Sequence, residues 1–108
     1  MRKAVIYLNK RQVGILREDP DGYIFEYDSE YLASEDATPV SLTLPLSEKP
    51  YRSNTMLPFF DGLIPEGWLL EVASKNWKIN PRDRMGLLLS CCKDCIGAVS
   101  VVPANADS

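Results

Sequence analysis

Histidine is absent from this 108-residue sequence, so the side chain that most often serves as a general base or metal ligand is missing. Positive charge is also in the minority: 12 lysines and arginines stand against 15 aspartates and glutamates. The net charge of -3 argues against a direct nucleic-acid surface, which needs clustered positive charge. No apolar run reaches the roughly 20 residues that span a bilayer, and Ala4–Leu8 is too short for the core of a signal peptide.

Cysteine is scarce, and its three copies, Cys91, Cys92 and Cys95, lie in one cluster. An odd number in one short stretch makes a poor disulfide framework, so we expect a reducing, cytoplasmic compartment. The Cys92–Cys95 spacing occurs in zinc and thiol-exchange sites, but structural zinc takes four ligands, and a redox pair usually begins a helix rather than ending one. We therefore interpret Cys92 as a buried apolar position and expect no metal and no cofactor. A thiol enzyme is the alternative, which alkylation at low pH would reveal.

The remaining candidates for chemistry are carboxylates around a predicted break between helices, Asp61, Glu66 and Glu71. A paired-carboxylate site needs a shaped cleft, for which a chain of this length has little room. The sequence also lacks the glycine-rich phosphate loops and the nucleophile elbow that mark nucleotide-binding proteins and hydrolases. We assign these carboxylates to helix capping and solvation, and we predict no catalytic residue.

Alternating and β-branched residues predict strands in the first half of the chain. A turn at 9–12 joins the first two strands into a hairpin, and the Asp-Pro-Asp-Gly turn at 19–22 leads into the third. Asp28 or Ser29 then caps a short helical turn. Val40–Leu44 predicts a further strand or extended segment, and residues 47–54, which are polar and contain Pro50, predict a loop. The other predicted strands are Ala4–Leu8, Val13–Leu16, Tyr23–Tyr27 and, near the end of the chain, Ala98–Val102.

Helical spacing marks the second half. Pro58 suits the first turn of one helix, and the Pro-Glu-Gly sequence at 65–67 predicts a break followed by another. Asn80 and Pro81 are the cap and first position of the last predicted helix. Its apolar stripe is formed by Met85, Leu88, Leu89 and Cys92.

These elements predict an α+β fold with a small antiparallel, partly barrel-like sheet and two or three helices packed on one side. The length fits one domain, which we place at residues 1–103, with a disordered tail at 104–108. Within it, Trp68 is the candidate for a binding role. On a helical wheel of residues 66–77, Trp68 lies at the edge of an apolar face. A tryptophan there either packs inward or projects outward, where it anchors protein interfaces.

Five stretches of the sequence carry a family likeness: residues 8–14, 30–34, 39–46, 59–66 and 94–99. In this order they resemble the N-terminal domain of the HipA family of bacterial serine/threonine toxin kinases, and they cover most of the chain. The L-P-L and F-F-x-x-L-x-P-E blocks are specific at this spacing. The last stretch departs from the family in its cysteines, so no family-wide role is carried over to Cys95.

In that family the kinase machinery follows this domain. The chain starts at Met1 and ends soon after its last predicted strand, so we expect a small protein of its own. The resemblance then implies a HipS-type subunit of a HipBST toxin–antitoxin system. Such a subunit is a non-catalytic antitoxin that binds and neutralises a HipT-type kinase beside a HipB-type DNA-binding protein. The alternative is the N-terminal structural or regulatory domain of a full-length HipA-type kinase.

The apolar and aromatic segment after the predicted helix break is our candidate for the partner-binding surface. A domain separated from a larger fold exposes the surface that it once buried, and such a surface carries apolar and aromatic residues rimmed by charge. We hypothesise that Trp68 inserts at or near the nucleotide-binding cleft of the kinase. The predicted partner-binding residues are Pro65, Glu66, Gly67, Trp68 and Leu69.

Overall fold

The structure, a computed structural model, describes residues 2–64, 83–91 and 98–104. Within those ranges, five strands and three short helices form the predicted α+β domain. The strands are β1 (Lys3–Leu8), β2 (Arg11–Asp19), β3 (Gly22–Tyr27), β4 (Tyr51–Ser53) and β5 (Val99–Pro103). The helices are α1 (Ser29–Leu32), α2 (Pro58–Asp61) and α3 (Arg84–Cys91).

The five strands form one antiparallel sheet in the order β4-β3-β2-β1-β5, and the sheet is open rather than closed into a barrel. The β1–β2 turn has positive φ at Asn9 (52°) and Lys10 (68°), as a two-residue type I′ hairpin turn requires. At the next turn, the Asp21 amide donates to the Asp19 side chain at 2.8 Å, which is the local bond expected of an aspartate in a turn. The last strand, β5, pairs with β1, so both ends of the described chain lie in the sheet.

The hydrophobic core lies between the sheet and the helices, and Phe25 is at its centre. The Phe25 ring packs against Phe60 of α2 with centroids 5.2 Å apart, and it meets Tyr27 edge-to-face at 4.8 Å. Burial of an aliphatic or aromatic side chain of this kind is worth about 1.5–3 kcal/mol. The other large side chains that are fully buried here are Ile6, Val13, Leu16, Met85, Leu87, Leu88 and Val101.

The loop predicted over residues 47–54 is wrong at its end, because Tyr51–Ser53 forms β4 at one edge of the sheet. Tyr51 pairs with Phe25 and Ser53 pairs with Tyr23. Pro50 precedes this strand, where its missing amide hydrogen interrupts no ladder. Three residues without an apolar alternation carry no strand signal in the sequence, and the open edge of β3 supplies the partner.

Val40–Leu44 also differs from the prediction, since it forms a turn instead of a strand. Ser41 and Leu44 make an isolated bridge around the turn, with the Leu44 amide donating to the Ser41 carbonyl at 3.0 Å. Val40 and Leu44 are buried, whereas Leu42 between them is 95% exposed. The apolar positions therefore alternate between the core and solvent.

The last described helix begins at Arg84, later than the start predicted from Asn80 and Pro81. The Asp83 carbonyl accepts the first helical bond, from the Leu87 amide at 3.0 Å, as a cap residue does. Asn80, Pro81 and Cys92 lie outside the described residues. Of the predicted apolar stripe, Met85 and Leu88 are fully buried, and Leu87, which the prediction left out, is buried as well.

Candidate functional site

The predicted partner-binding residues lie outside the described part of the chain. The structure describes the residues on both sides of them, up to Ile64 and from Asp83, and we call these two places the first and second junctions. The predicted residues are Pro65, Glu66, Gly67, Trp68 and Leu69.

The first junction is anchored in the core by α2. Pro58 occupies the first turn of this helix, as predicted, because it has no amide hydrogen to leave unpaired. Phe60 is fully buried and Ile64 is 3% exposed. The Gly62 amide donates to the Pro58 carbonyl at 2.9 Å, and the Ile64 amide to the Asp61 carbonyl at 3.2 Å. The described stretch therefore ends at a buried position in the core.

The second junction is anchored by Asp83 at the start of α3. Its carboxylate accepts the Gly86 amide at 3.2 Å and two hydrogen bonds from the Arg2 guanidinium, at 2.7 and 2.9 Å. Hydrogen bonding from Arg2, and then from the Gly86 amide, outweighs partial burial and lowers the pKa of Asp83 below its ordinary 3.8. Arg2 also donates to both carboxylate oxygens of Glu18 on β2, at 2.8 and 2.7 Å. The N-terminus, β2 and α3 are thus joined through one guanidinium.

An ion pair connects the two junctions directly. The Arg84 guanidinium Nε donates to Asp61 Oδ1 at 2.6 Å, and both side chains are partly exposed. Asp61 belongs to α2 before the predicted segment, and Arg84 begins α3 after it. The described residues on the two sides of positions 65–82 are therefore in direct contact.

A groove on the described part of the chain has a volume of about 550 Å³ and an acidic rim. Asp28 on this rim accepts a hydrogen bond from Gln12 at 2.9 Å, and Glu26 lies 3.7 Å from the Arg17 guanidinium. Both carboxylates are thus engaged with neighbours on the sheet. The groove is lined by Ile15, Glu26, Tyr27, Asp28, Ser29, Leu32, Ala33 and Glu48.

Metal-binding clusters and membrane-spanning helices are absent from residues 2–64, 83–91 and 98–104. No cluster of three or more histidine, cysteine, aspartate or glutamate side chains there has the geometry to hold a metal ion. No described helix is long and apolar enough to cross a bilayer. Cys91 is the last residue of α3, while Cys92 and Cys95 lie outside the described residues.

An exposed apolar loop between α1 and β4 was missed by the sequence analysis. Leu42 is 95% exposed and Leu46 is 36% exposed. The sequence does carry one signal for this loop, since residues 37–47 contain no charged side chain. The strand prediction over Val40–Leu44 concealed it, because it placed Leu42 on the same face as the buried Val40 and Leu44.

Comparison with known proteins assigns the domain to a family. Residues 4–102 match the family described as the HipA N-terminal domain. The chain belongs to the HipA N-terminal domain family. A solved structure of the N-terminal domain of HipA toxin superposes with a TM-score of 0.76 at 28% identity, over 98% of this chain and 95% of that one. The fold expected from the resemblance is therefore confirmed.

The relatives that this chain matches differ in length. An uncharacterised protein of Haemophilus influenzae is 33% identical over 94% of this chain and 92% of its own length. A putative kinase of Sinorhizobium fredii, Y4mE, is 29% identical over 99% of this chain, which spans only 26% of that protein. A Shewanella oneidensis complex of HipA, HipB and operator DNA has a chain that shares the fold, with a TM-score of 0.74 at 23% identity, over 95% of this chain and 24% of that one.

Proposed function

We propose that this chain is a non-catalytic antitoxin that binds and neutralises a HipT-type serine/threonine kinase. The observation that carries the proposal is that this chain, which matches the HipA N-terminal domain family over residues 4–102, also aligns with 92% of the length of a Haemophilus influenzae protein. The domain thus occurs as a protein of its own, separate from kinase sequence. A domain without its kinase retains the surface that would contact one, so binding to a separate kinase subunit follows naturally.

The system that we infer has two further properties. A HipB-type DNA-binding protein completes a ternary complex, with DNA contacted by that protein and not by this acidic chain. The Shewanella oneidensis structure supports this arrangement, since it holds HipA and HipB on operator DNA. We place the complex in the cytoplasm.

A second candidate function is favoured by a specific observation. The chain corresponds to about a quarter of two longer relatives, 26% of the putative kinase Y4mE and 24% of the Shewanella oneidensis chain. In those proteins the domain is one part of a longer polypeptide. The alternative is therefore an N-terminal structural or regulatory domain of a full-length HipA-type kinase.

The experiment that separates these functions is a pull-down with the kinase encoded beside the gene, followed by a phosphorylation assay with and without this protein. Tight binding with loss of phosphorylation supports the antitoxin. Binding that leaves activity unchanged or raises it would replace the antitoxin with a structural or activating subunit. If this protein does not bind that kinase, it is neither an inhibitor nor an activator of it.

For the mechanism, we propose that Trp68 inserts at or near the nucleotide-binding cleft of the kinase and holds it in an unproductive arrangement. Its edge position after the Pro-Glu-Gly sequence supports an outward side chain.

Trp68→Ala is the test of this mechanism, and Trp77→Ala is its matched control in the same segment. We expect Trp68→Ala to weaken kinase binding by at least about tenfold, because a buried tryptophan anchor contributes about 2 kcal/mol or more. Trp77→Ala should bind within about threefold of wild type. A thermal melt of both variants shows whether either tryptophan packs in the core, because loss of a core tryptophan lowers the melting temperature. If Trp68→Ala binds and silences the kinase like wild type, the mechanism is wrong.

A further inference from the structure

Exposed apolar surface in the described part of the chain is concentrated on one loop, residues 38–46, which we call the leucine loop. Its Leu42 and Leu46 are the two large apolar side chains that stand exposed in that part of the chain, at 95% and 36%. Pro45 between them is exposed as well. A single exposed leucine is ordinary on a protein surface. Two on the same loop are a reason to ask what covers them.

Three tyrosines fix the leucine loop to the domain. The Tyr27 hydroxyl accepts the Val40 amide at 3.0 Å and donates to the Leu44 carbonyl, on either side of the exposed tip. The Tyr31 hydroxyl accepts the Thr38 amide at 2.9 Å and donates to the Thr38 carbonyl at 2.7 Å, and Tyr51 donates to the Pro45 carbonyl. A loop held at both ends and at its middle presents Leu42 in one position, so binding costs little conformational entropy.

Several polar groups at the tip have partners within the tip itself. The Ser41 and Thr43 hydroxyls are 2.9 Å apart, and the Thr43 amide donates to the Ser41 hydroxyl at 3.2 Å. The Leu44 amide donates to the Ser41 carbonyl at 3.0 Å. Because these groups already have partners, losing water costs them less free energy when the tip is buried. That property suits an apolar pocket of another protein.

Charge is distributed around the leucine loop as it is around protein interfaces. Residues 37–47 carry no charged side chain, whereas Glu35 and Asp36 precede them and Glu48 and Lys49 follow. The cores of protein interfaces are depleted of charge, and their rims are polar. The loop thus combines an apolar tip with a charged border.

We propose that Leu42 is an anchor that an apolar pocket of the kinase subunit receives, so that the leucine loop forms a second contact besides residues 65–69. This inference rests on the proposed function. The kinase is favoured as occupant because the same domain forms about a quarter of two longer relatives, where it is joined to a much larger body. When the kinase and this domain are separate chains, a loop that contacts the kinase is exposed to solvent until the two chains bind.

The experiment measures the Kd of the intact protein for the kinase encoded beside its gene, with Leu42→Asp, Leu42→Met and Asn9→Asp as variants. Asn9→Asp is the charge-matched control, because it adds the same charge at an exposed turn, and aspartate tolerates the positive φ there. We expect Leu42→Asp to raise the Kd at least about tenfold, as loss of one buried leucine does. Leu42→Met and Asn9→Asp should stay within about threefold, and all melting temperatures should match wild type.

The outcomes separate this inference from the proposed function. If wild type binds the kinase and Leu42→Asp binds as tightly, the inference is overturned while the proposed function stands. If wild type and every variant fail to bind, both are overturned. The mass of the protein alone is measured in parallel. If wild type is a dimer that Leu42→Asp converts to a monomer, and kinase affinity is unchanged, the inference is overturned and the loop contacts a second copy of this chain instead.

Discussion

Gly86 lies inside α3, at a position where alanine would ordinarily be the better helix residue. The replacement would place a methyl group 2.4 Å from the Asp83 carboxylate and 3.2 Å from the Arg2 guanidinium. We therefore expect Gly86→Ala to destabilise the domain by about 1 kcal/mol, the typical loss when a helix cap is disrupted. Helix propensity alone predicts the opposite sign, a gain of about 0.5–1 kcal/mol in the free energy of unfolding. Urea unfolding followed by circular dichroism measures the sign.

A double-mutant cycle provides the control for Gly86→Ala. In an Asp83→Ala background the obstructing carboxylate is gone, so the same glycine replacement should become neutral or stabilising. A destabilisation of equal size in both backgrounds would mean that Asp83 is not the cause.

At the scale of elements, the leucine loop depends on the Tyr27 hydroxyl, which lies on β3, far from the loop in sequence. Burial raises the pKa of Tyr27 above its ordinary 10.0, so the hydroxyl stays protonated and able to donate. Tyr27→Phe keeps the ring contacts with Phe25 and Tyr31 but leaves two buried backbone groups without a partner. We expect a loss of about 1–3 kcal/mol in unfolding free energy.

Tyr7→Phe is the matched control for Tyr27→Phe. Tyr7 is half-buried on β1, and its hydroxyl has no hydrogen bond to a described residue. Its replacement should change stability by less than about 0.5 kcal/mol. Equal losses in the two variants would show that the hydroxyl bonds to Val40 and Leu44 do not hold the loop.

The elements show where sequence patterns suffice and where they do not. β1 to β3 were predictable because they are rich in β-forming residues and are joined by turns with their own chemistry. β4 and the turn at 41–44 were not, because their positions are set by partners distant in sequence: the open edge of β3 and the hydroxyl of Tyr27. α3 begins at Arg84, and the Asp83 carboxylate before it is bonded by Arg2 from the other end of the chain, a contact that local sequence does not reveal.

The same reasoning applies to the candidate site. The binding segment with Trp68 was predicted from local sequence and family resemblance, and it lies outside the described residues. The exposure of Leu42 was not, because Val40, Leu42 and Leu44 have the same apolar character and differ only in where the fold places them. A surface of this kind is defined by the tertiary structure, and only the uncharged run at 37–47 hints at it.

At the scale of the whole molecule, Arg2 joins β2 and α3 through Glu18 and Asp83, so the acid stability of the domain should depend on this cluster. Because the pKa of Asp83 is lowered in the folded state, its stabilisation is present above about pH 4 and is lost as the pH falls below that value. We expect Asp83→Asn to lower the free energy of unfolding by about 1 kcal/mol at pH 7, a value limited by partial exposure, and to flatten the loss of stability below pH 4.

Asp36→Asn is the control, since Arg11 also lowers the pKa of Asp36, but on a fully solvated surface. Urea unfolding from pH 7 to pH 2 measures both. Equal acid profiles in the two variants would mean that Arg2 does not couple the sheet to α3.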